Sequence, residues 1–153
     1  MMADWRRFRT LDAEDRALLR EAVLLLILVR IGLGAVRFPV LCRWLDRWAG
    51  YGTAGPAAGA ILAATPAPGR LTWAVAAAGL RMPWATCLVQ ALVADAMLRR
   101  RGHRTAVRLG VRAARRPPRP IEAHAWVECE GSVVLGETPD LSDFVVLAAP
   151  GSP

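Results

Sequence analysis

Residues 87–102 read CLVQALVADAMLRRRG and predict a helix in the core of the chain. Apolar side chains occupy almost every position before Arg99, which is typical of a helix buried on all faces. Thr86 predicts the N-cap, so Cys87 becomes the first helical residue, and Gly102 predicts the C-terminal end. A cysteine is therefore predicted at the start of a core helix.

After Gly102 the apolar period changes from 3.6 to 2, which predicts strands. Residues 105–112 (TAVRLGVR) alternate, and residues 123–130 (AHAWVECE) alternate again. In the second of these strands one face is predicted to carry Ala125, Val127 and Cys129. The other face is predicted to carry His124, Trp126 and Glu128. A proline-rich loop is predicted between these two strands, at residues 113–120. Two shorter strands are predicted at residues 132–135 and 144–147.

Upstream of Cys87 the pattern is helical. Helices are predicted over residues 13–33, 39–49 and 70–80, with Asp12 as the first cap and with Gly32 and Gly34 ending the first helix. Residues 50–69 are predicted to be a flexible connection around a short apolar piece. Helices followed by an antiparallel sheet indicate the α+β class. A helical region, 1–69, is expected to pack on or dock to a core, 70–153, within one compact domain.

Composition limits the function classes. The chain has 153 residues and a net charge of +7, and all 20 of its basic residues are Arg. A positive field attracts nucleic acid, anionic membrane or acidic protein without choosing between them. No helix-turn-helix, zinc-finger or RNA-binding motif accompanies the charge, so nucleic acid is not a predicted partner. Three cysteines without a CxxC spacing, and two histidines, argue against a disulfide framework and a zinc site.

The N-terminal part of the sequence bears on location. The first ten residues, MMADWRRFRT, are polar and Arg-rich and do not lead into a signal peptide, so a cytoplasmic protein is expected. Residues 22–35 (AVLLLILVRIGLGA) are strongly apolar but contain Arg30 and fall short of the roughly 20 residues that span a bilayer. They predict a buried helix. A position on a membrane or partner surface is the alternative.

Cys87 and His124 are the candidate catalytic residues. A helix N-terminus offers positive potential and free N–H groups, which favour a thiolate and can hold an oxyanion. The alternative for such a cysteine is a small buried apolar residue. His124 opens a strand after the proline-rich loop, where its ring can reach the start of a packed helix and act as a base. Its alternative is a strand histidine bonded to a backbone carbonyl.

Four segments carry a family resemblance: CLVQAL from Cys87, LRRRG from Leu98, RLGVR from Arg108 and HAWVE from His124. Together they resemble the lasso-peptide leader peptidases, over about residues 70–136. That family is similar to a bacterial branch of the transglutaminase-like, papain-like cysteine protease superfamily. The resemblance implies hydrolysis of a peptide bond at the leader–core junction of a ribosomal precursor. Cys87 would be the nucleophile and His124 the base.

The same resemblance implies partners. The chain has no room for a leader-binding winged-helix domain, so it resembles the separate-chain form of the protease. The implied partners are the lasso precursor peptide, a leader-binding winged-helix protein and an ATP-dependent macrocyclase. No cofactor is expected in this chain, and any ATP dependence would come through the cyclase. Membrane association is left open.

The third member of a catalytic triad is where the sequence departs from the family pattern. Family members commonly carry an Asp on the strand after the His, and here that place falls on or next to Gly136. Asp140 is the preferred substitute, Glu137 is the next and Asp143 is weaker, while a backbone carbonyl is the remaining option. Three residues are predicted to shape the cleft, with packing as the alternative for the tryptophans: Trp84, Trp126 and Glu128.

Two other functions fit the same residues. Acyl transfer to an amine instead of water is compatible with a transglutaminase-like fold, because sequence does not set water access. A non-catalytic scaffold of the same fold would use the apolar N-terminal helices as its interface.

Overall fold

The computed structural model describes residues 11–50, 66–114 and 120–147. In these residues four helices precede a four-stranded antiparallel sheet, which confirms the α+β class. The helices are α1 (Ala13–Ala35), α2 (Phe38–Gly50), α3 (Pro68–Gly79) and α4 (Cys87–Arg100). The strands are β1 (Thr105–Ala113), β2 (Ile121–Cys129), β3 (Ser132–Leu135) and β4 (Val145–Leu147). The first ten residues and most of both predicted connections, 51–65 and 115–119, lie outside the described residues.

Helix α1 begins as the sequence predicts and ends later. The Asp12 carboxylate accepts a hydrogen bond from the Asp15 backbone N–H at 2.7 Å, which caps the first turn. The predicted range was 13–33, with Gly32 and Gly34 marking the end, and the helix continues two residues further, to Ala35. Gly32 has a packing role instead: a Cβ there would lie 2.7 Å from a methyl carbon of Leu41. The glycine lets α2 approach α1.

Helix α4 is the centre of the core. It packs against α1, α2 and α3 on one side and against β1 and β2 on the other. Val89, Val93 and Met97 are completely or almost completely buried, as the all-round apolar pattern predicts. Asp95 is the buried acid of this helix, and burial raises its pKa. The Thr105 hydroxyl donates to its carboxylate at 2.6 Å, so the buried group is hydrogen-bonded.

The sheet has the order β3-β2-β1-β4. Its central pair places Gly110 of β1 opposite His124 of β2. Ala125 and Val127 are buried in the core, so His124 and its neighbours of the same phase lie on the other face. The predicted faces of β2 are therefore confirmed. A 3₁₀ turn, Leu141–Asp143, precedes β4 and was not predicted.

Helix α1 has two apolar sides. One side enters the core, while the opposite side exposes Leu24, Leu28 and Ile31. Among the described residues, no helix combines the length and apolar character needed to cross a membrane.

Candidate active site

Cys87 is half-buried at the first position of α4. Thr86 occupies the N-cap position, as predicted, but it is exposed and its hydroxyl makes no capping hydrogen bond to the helix. The first N–H groups of a helix have no partner within the helix. Without a side-chain cap these donors are left for water or a ligand, and they are suited to hold an oxyanion next to the thiol.

The chain that leads into Cys87 is held by Gln90. Its side-chain amide donates to the Ala85 carbonyl at 2.7 Å, and its backbone N–H donates to the Thr86 carbonyl at 3.0 Å. The carboxamide lies against Gly79 of α3, where a Cβ would be 2.7 Å from Gln90 Cδ. Sequence reasoning missed this support. The available signal was a polar residue in the first turns of an otherwise apolar helix.

His124 is hydrogen-bonded to the backbone. Its Nε2 lies 2.7 Å from the carbonyl oxygen of Gly136. A carbonyl oxygen only accepts hydrogen bonds, so Nε2 must carry the proton, and the lone pair of the neutral ring is on Nδ1. The ring stacks on Trp126 at a centroid distance of 6.2 Å and contacts Phe144 at 5.5 Å. The structure therefore fixes a tautomer in which Nδ1 is the basic nitrogen.

Gly136 is required by its surroundings. Its φ is +84°, a conformation that residues with a side chain rarely adopt. A Cβ would lie 2.8 Å from the Ala125 carbonyl oxygen and 3.0 Å from the Trp126 Cα. Gly136, on or next to which the resemblance places a carboxylate, therefore has no room for a side chain. Its carbonyl provides the hydrogen bond to His124 instead.

Asp140 pairs with Arg112. The guanidinium donates to the Asp140 carboxylate, and this hydrogen bond holds the pKa of that carboxyl below its usual value. Arg112 also pairs with Glu122 at 2.6 Å and lies over the Phe144 ring at 4.4 Å. Asp143 is 3.9 Å from the same guanidinium. Asp140 thus helps to hold Arg112 in place over the Phe144 ring. That ring in turn contacts His124.

The remaining predicted residues are placed as follows. Glu137 is exposed, and Trp84 is partly buried against the core. Trp126 is buried at 4% exposure, and its indole N–H donates to Glu128 at 3.2 Å. Glu128 also pairs with Arg108 at 2.9 Å. In this structure Trp126 packs against the His124 ring, and Glu128 holds the Trp126 indole.

Gly110 makes room for the rings beside His124. A Cβ at this position would lie 2.8 Å from both Trp126 Cζ3 and Phe144 Cβ. The glycine in the RLGVR segment therefore lets Trp126 and Phe144 close over the first strand. Sequence reasoning did not assign it a role, although a glycine inside an alternating strand is a known signal of close approach.

A family model described as the transglutaminase-like superfamily matches residues 32–149. The chain belongs to the transglutaminase-like superfamily. No curated protein and no solved structure gave a significant match. The superfamily match covers all of the elements from α2 to β4, including the two residues predicted to be catalytic.

Members of this superfamily typically carry a catalytic Cys–His pair. Here Cys87 starts the helix that packs against β2, and His124 lies near the beginning of that strand. His124 and the core residue Ala125 point to opposite faces of β2. The His124 imidazole is hydrogen-bonded to the Gly136 carbonyl oxygen. Among the described residues, no hydrogen bond joins this imidazole to the Cys87 thiol.

The other cysteines lie in different environments. Burial raises the pKa of the Cys42 thiol, and burial together with Glu130 raises that of Cys129. Both thiols are therefore poorly ionised near neutral pH. Within the residues that the structure describes, no group of three or more His, Cys, Asp or Glu side chains is placed to hold a metal ion.

The Asp140–Arg112 pair predicts a pH-dependent stability. A carboxyl whose pKa is lowered by folding stabilises the protein above its unfolded pKa, and this contribution is lost as the pH falls through the folded pKa. We expect Asp140→Asn to lower the denaturant midpoint at neutral pH and the difference from wild type to vanish in strong acid. A difference that is the same at both pH values would contradict this origin.

Proposed function

We propose that this chain is a cysteine peptidase that removes the leader from a ribosomally made lasso-peptide precursor. The observation that carries the proposal is Cys87 at the uncapped N-terminus of a core helix in a transglutaminase-like chain. The CLVQAL and HAWVE segments support the substrate class through their resemblance to lasso-peptide leader peptidases. The His124 tautomer supports the chemistry, because it leaves Nδ1 free to accept a proton.

The proposed reaction proceeds through an acyl-enzyme. His124 Nδ1 takes the Cys87 thiol proton, and the sulfur attacks the last carbonyl of the leader. The N–H groups at the start of α4 stabilise the oxyanion. The C–N bond then breaks, His124 donates the proton to the amine of the core peptide, and the leader is left as a thioester. Water, deprotonated by His124, hydrolyses that thioester and regenerates the thiol.

This mechanism requires the two catalytic groups to approach each other. His124 lies on the face of β2 opposite to the core face that packs on α4, so in the substrate complex its ring must move until Nδ1 is within hydrogen-bond distance of Cys87 Sγ. Catalytic contacts often tighten only when substrate is bound. The Gly136 carbonyl would keep Nε2 protonated during this approach, in the way that the third member of a triad fixes an imidazole.

The proposed partners follow from the same family resemblance. A leader-binding winged-helix protein would deliver the precursor, and an ATP-dependent macrocyclase would close the ring after cleavage. The chain itself needs no cofactor for thiol chemistry. ATP use would belong to the cyclase.

Replacement of Asp140 tests which group orients His124, the Gly136 carbonyl or the Asp140 carboxylate. If the Gly136 carbonyl orients His124, Asp140→Asn weakens the ion pair with Arg112 without touching the imidazole, and we expect kcat/KM to fall by less than about tenfold. If the Asp140 carboxylate were the orienting group, the loss would be ~10⁴-fold. Initial rates of precursor cleavage distinguish these results. Glu137→Gln and Asp143→Asn serve as matched controls at the other candidate carboxylates.

The function is tested by mixing the purified full chain with a lasso precursor and its leader-binding partner. We expect mass spectrometry to find the free leader carrying a new carboxyl group, together with the core peptide. A leader joined to an added amine would instead indicate acyl transfer. A chain that binds the leader-binding partner but leaves the precursor intact would refute the peptidase and favour a scaffold.

A further inference from the structure

The outer side of α1 is an apolar surface in contact with solvent. Leu24, Leu28 and Ile31 are 62%, 60% and 60% exposed, and Ile27 is 38% exposed. These positions are spaced by three or four residues and therefore form one stripe along the helix. The opposite side of α1 is packed against α3 and α4. The helix therefore cannot rotate to bury these four side chains in the core. We refer to Leu24, Ile27, Leu28 and Ile31 as the α1 stripe.

The charges around the α1 stripe are positive. The acidic residues of this helix form salt bridges with arginines of other segments. Glu14 and Asp15 pair with Arg70 at 2.8 and 2.5 Å. Glu21 pairs with Arg101 at 2.6 Å. No acidic residue occurs from position 22 to position 35. Three exposed arginines belong to the same helix: Arg16, Arg20 and Arg30.

A cavity of about 610 Å³ opens beside the stripe, between α1 and the end of α3. Its apolar wall includes Val23, Leu24 and Met82. Arg16 and Arg20 also line it, so apolar wall and guanidinium groups occur within one opening. This combination matches a phospholipid, which has an anionic phosphate joined to an acyl chain.

We propose that the α1 stripe and its arginines dock the protein onto an anionic membrane surface. The stripe would lie among the headgroups and upper acyl chains, and the arginines would contact lipid phosphates. Helix α1 is held to the protein core along its other side, so it lies on the bilayer instead of crossing it. A chain with a net charge of +7 is also attracted to an anionic surface from a distance.

Vesicle co-sedimentation of the purified full chain tests this proposal. We expect the chain to sediment with vesicles of phosphatidylethanolamine and phosphatidylglycerol but to remain in the supernatant with phosphatidylcholine vesicles. Arg16→Ala and Arg20→Ala are each expected to weaken binding roughly fivefold. Added salt should weaken it further. Wild-type protein that ignores anionic vesicles, or binds both kinds equally, would overturn the proposal.

A matched pair of variants tests the stripe itself. The double variant Leu24→Glu/Leu28→Glu is expected to bind at least about tenfold more weakly, because two apolar anchors are lost. The control Ile121→Glu/Val145→Glu changes residues of similar exposure, 58% and 68%, on the sheet and should bind like wild type. Circular dichroism checks that both variants fold. Equal vesicle binding by the two variants would refute a role of the α1 stripe in membrane binding. A wild-type dimer that dissociates only in the α1 variant would also refute it, because the stripe would then be a subunit interface.

Discussion

Replacement of Cys87 with alanine is expected to abolish leader removal. The thiol is the only group in the proposed mechanism that forms a bond to the substrate, so neither His124 nor the oxyanion donors can compensate. We expect the cleavage rate to fall by about 10⁵-fold or more. The measurement is the rate at which core peptide appears from the precursor in the presence of the leader-binding partner.

Cys42→Ala is the matched control for this experiment. Cys42 is also half-buried, but it lies in α2, in a different helix from the proposed nucleophile. We expect this variant to retain nearly all of the wild-type rate. Loss of activity in both variants would point to a general effect of removing a cysteine. Normal cleavage by Cys87→Ala would exclude Cys87 as the nucleophile.

Gly136→Ala is expected to have the second largest effect, on stability and activity together. The positive φ alone costs a residue with a side chain roughly 1–2 kcal/mol. The new Cβ would in addition meet the Ala125 carbonyl oxygen at 2.8 Å, and overpacking of this kind typically costs about 1–3 kcal/mol. Relief of the clash would move the carbonyl that holds His124. We expect cleavage to slow by roughly 10²-fold.

Gly131→Ala separates the two effects. Gly131 has almost the same φ, +85°, but a Cβ there would meet nothing within 4 Å. This variant should therefore show only the backbone cost, with an unfolding free energy lower by roughly 1–2 kcal/mol and an unchanged cleavage rate. Chemical denaturation and initial rates measure both quantities. Equal rates for the two glycine variants would contradict a role of the Gly136 carbonyl in holding His124.

The fold class was predictable because its signals are local. The change of apolar period after Gly102, and the all-round apolar character of α4, are properties of neighbouring residues. Helix α1 was predicted over residues 13–33 and continues to Ala35, and the packing role of Gly32 was missed because it depends on Leu41 of another helix. Sequence distance therefore marks the boundary between what could be predicted and what could not.

The candidate site divides along the same boundary. Cys87 at a helix start and His124 on a strand are local placements, and the structure shows both. The bond from His124 to Gly136 and the contact of Gln90 with Gly79 depend on tertiary packing. Neither could be derived from spacing alone. The sequence indicated that the expected carboxylate position falls on or next to Gly136, and the structure adds that the Gly136 carbonyl accepts a hydrogen bond from the histidine.

The arginines illustrate the limit of composition. The net charge predicts a positive field but does not say which arginines face a partner. In the structure Arg112 is occupied by Asp140 and Glu122, whereas Arg16 and Arg20 line an apolar cavity. Pairing within the fold therefore determines which part of the charge is available for binding.

The most direct test of the Cys87 assignment is detection of the acyl-enzyme. Wild-type protein would be mixed with precursor and leader-binding partner, quenched with acid and examined by intact-protein and peptide mass spectrometry. We expect a transient species heavier by the leader less one water, with the added mass on the peptide that contains Cys87. Release of leader with no acyl group on Cys87, or with the group on another residue, would contradict the proposed mechanism.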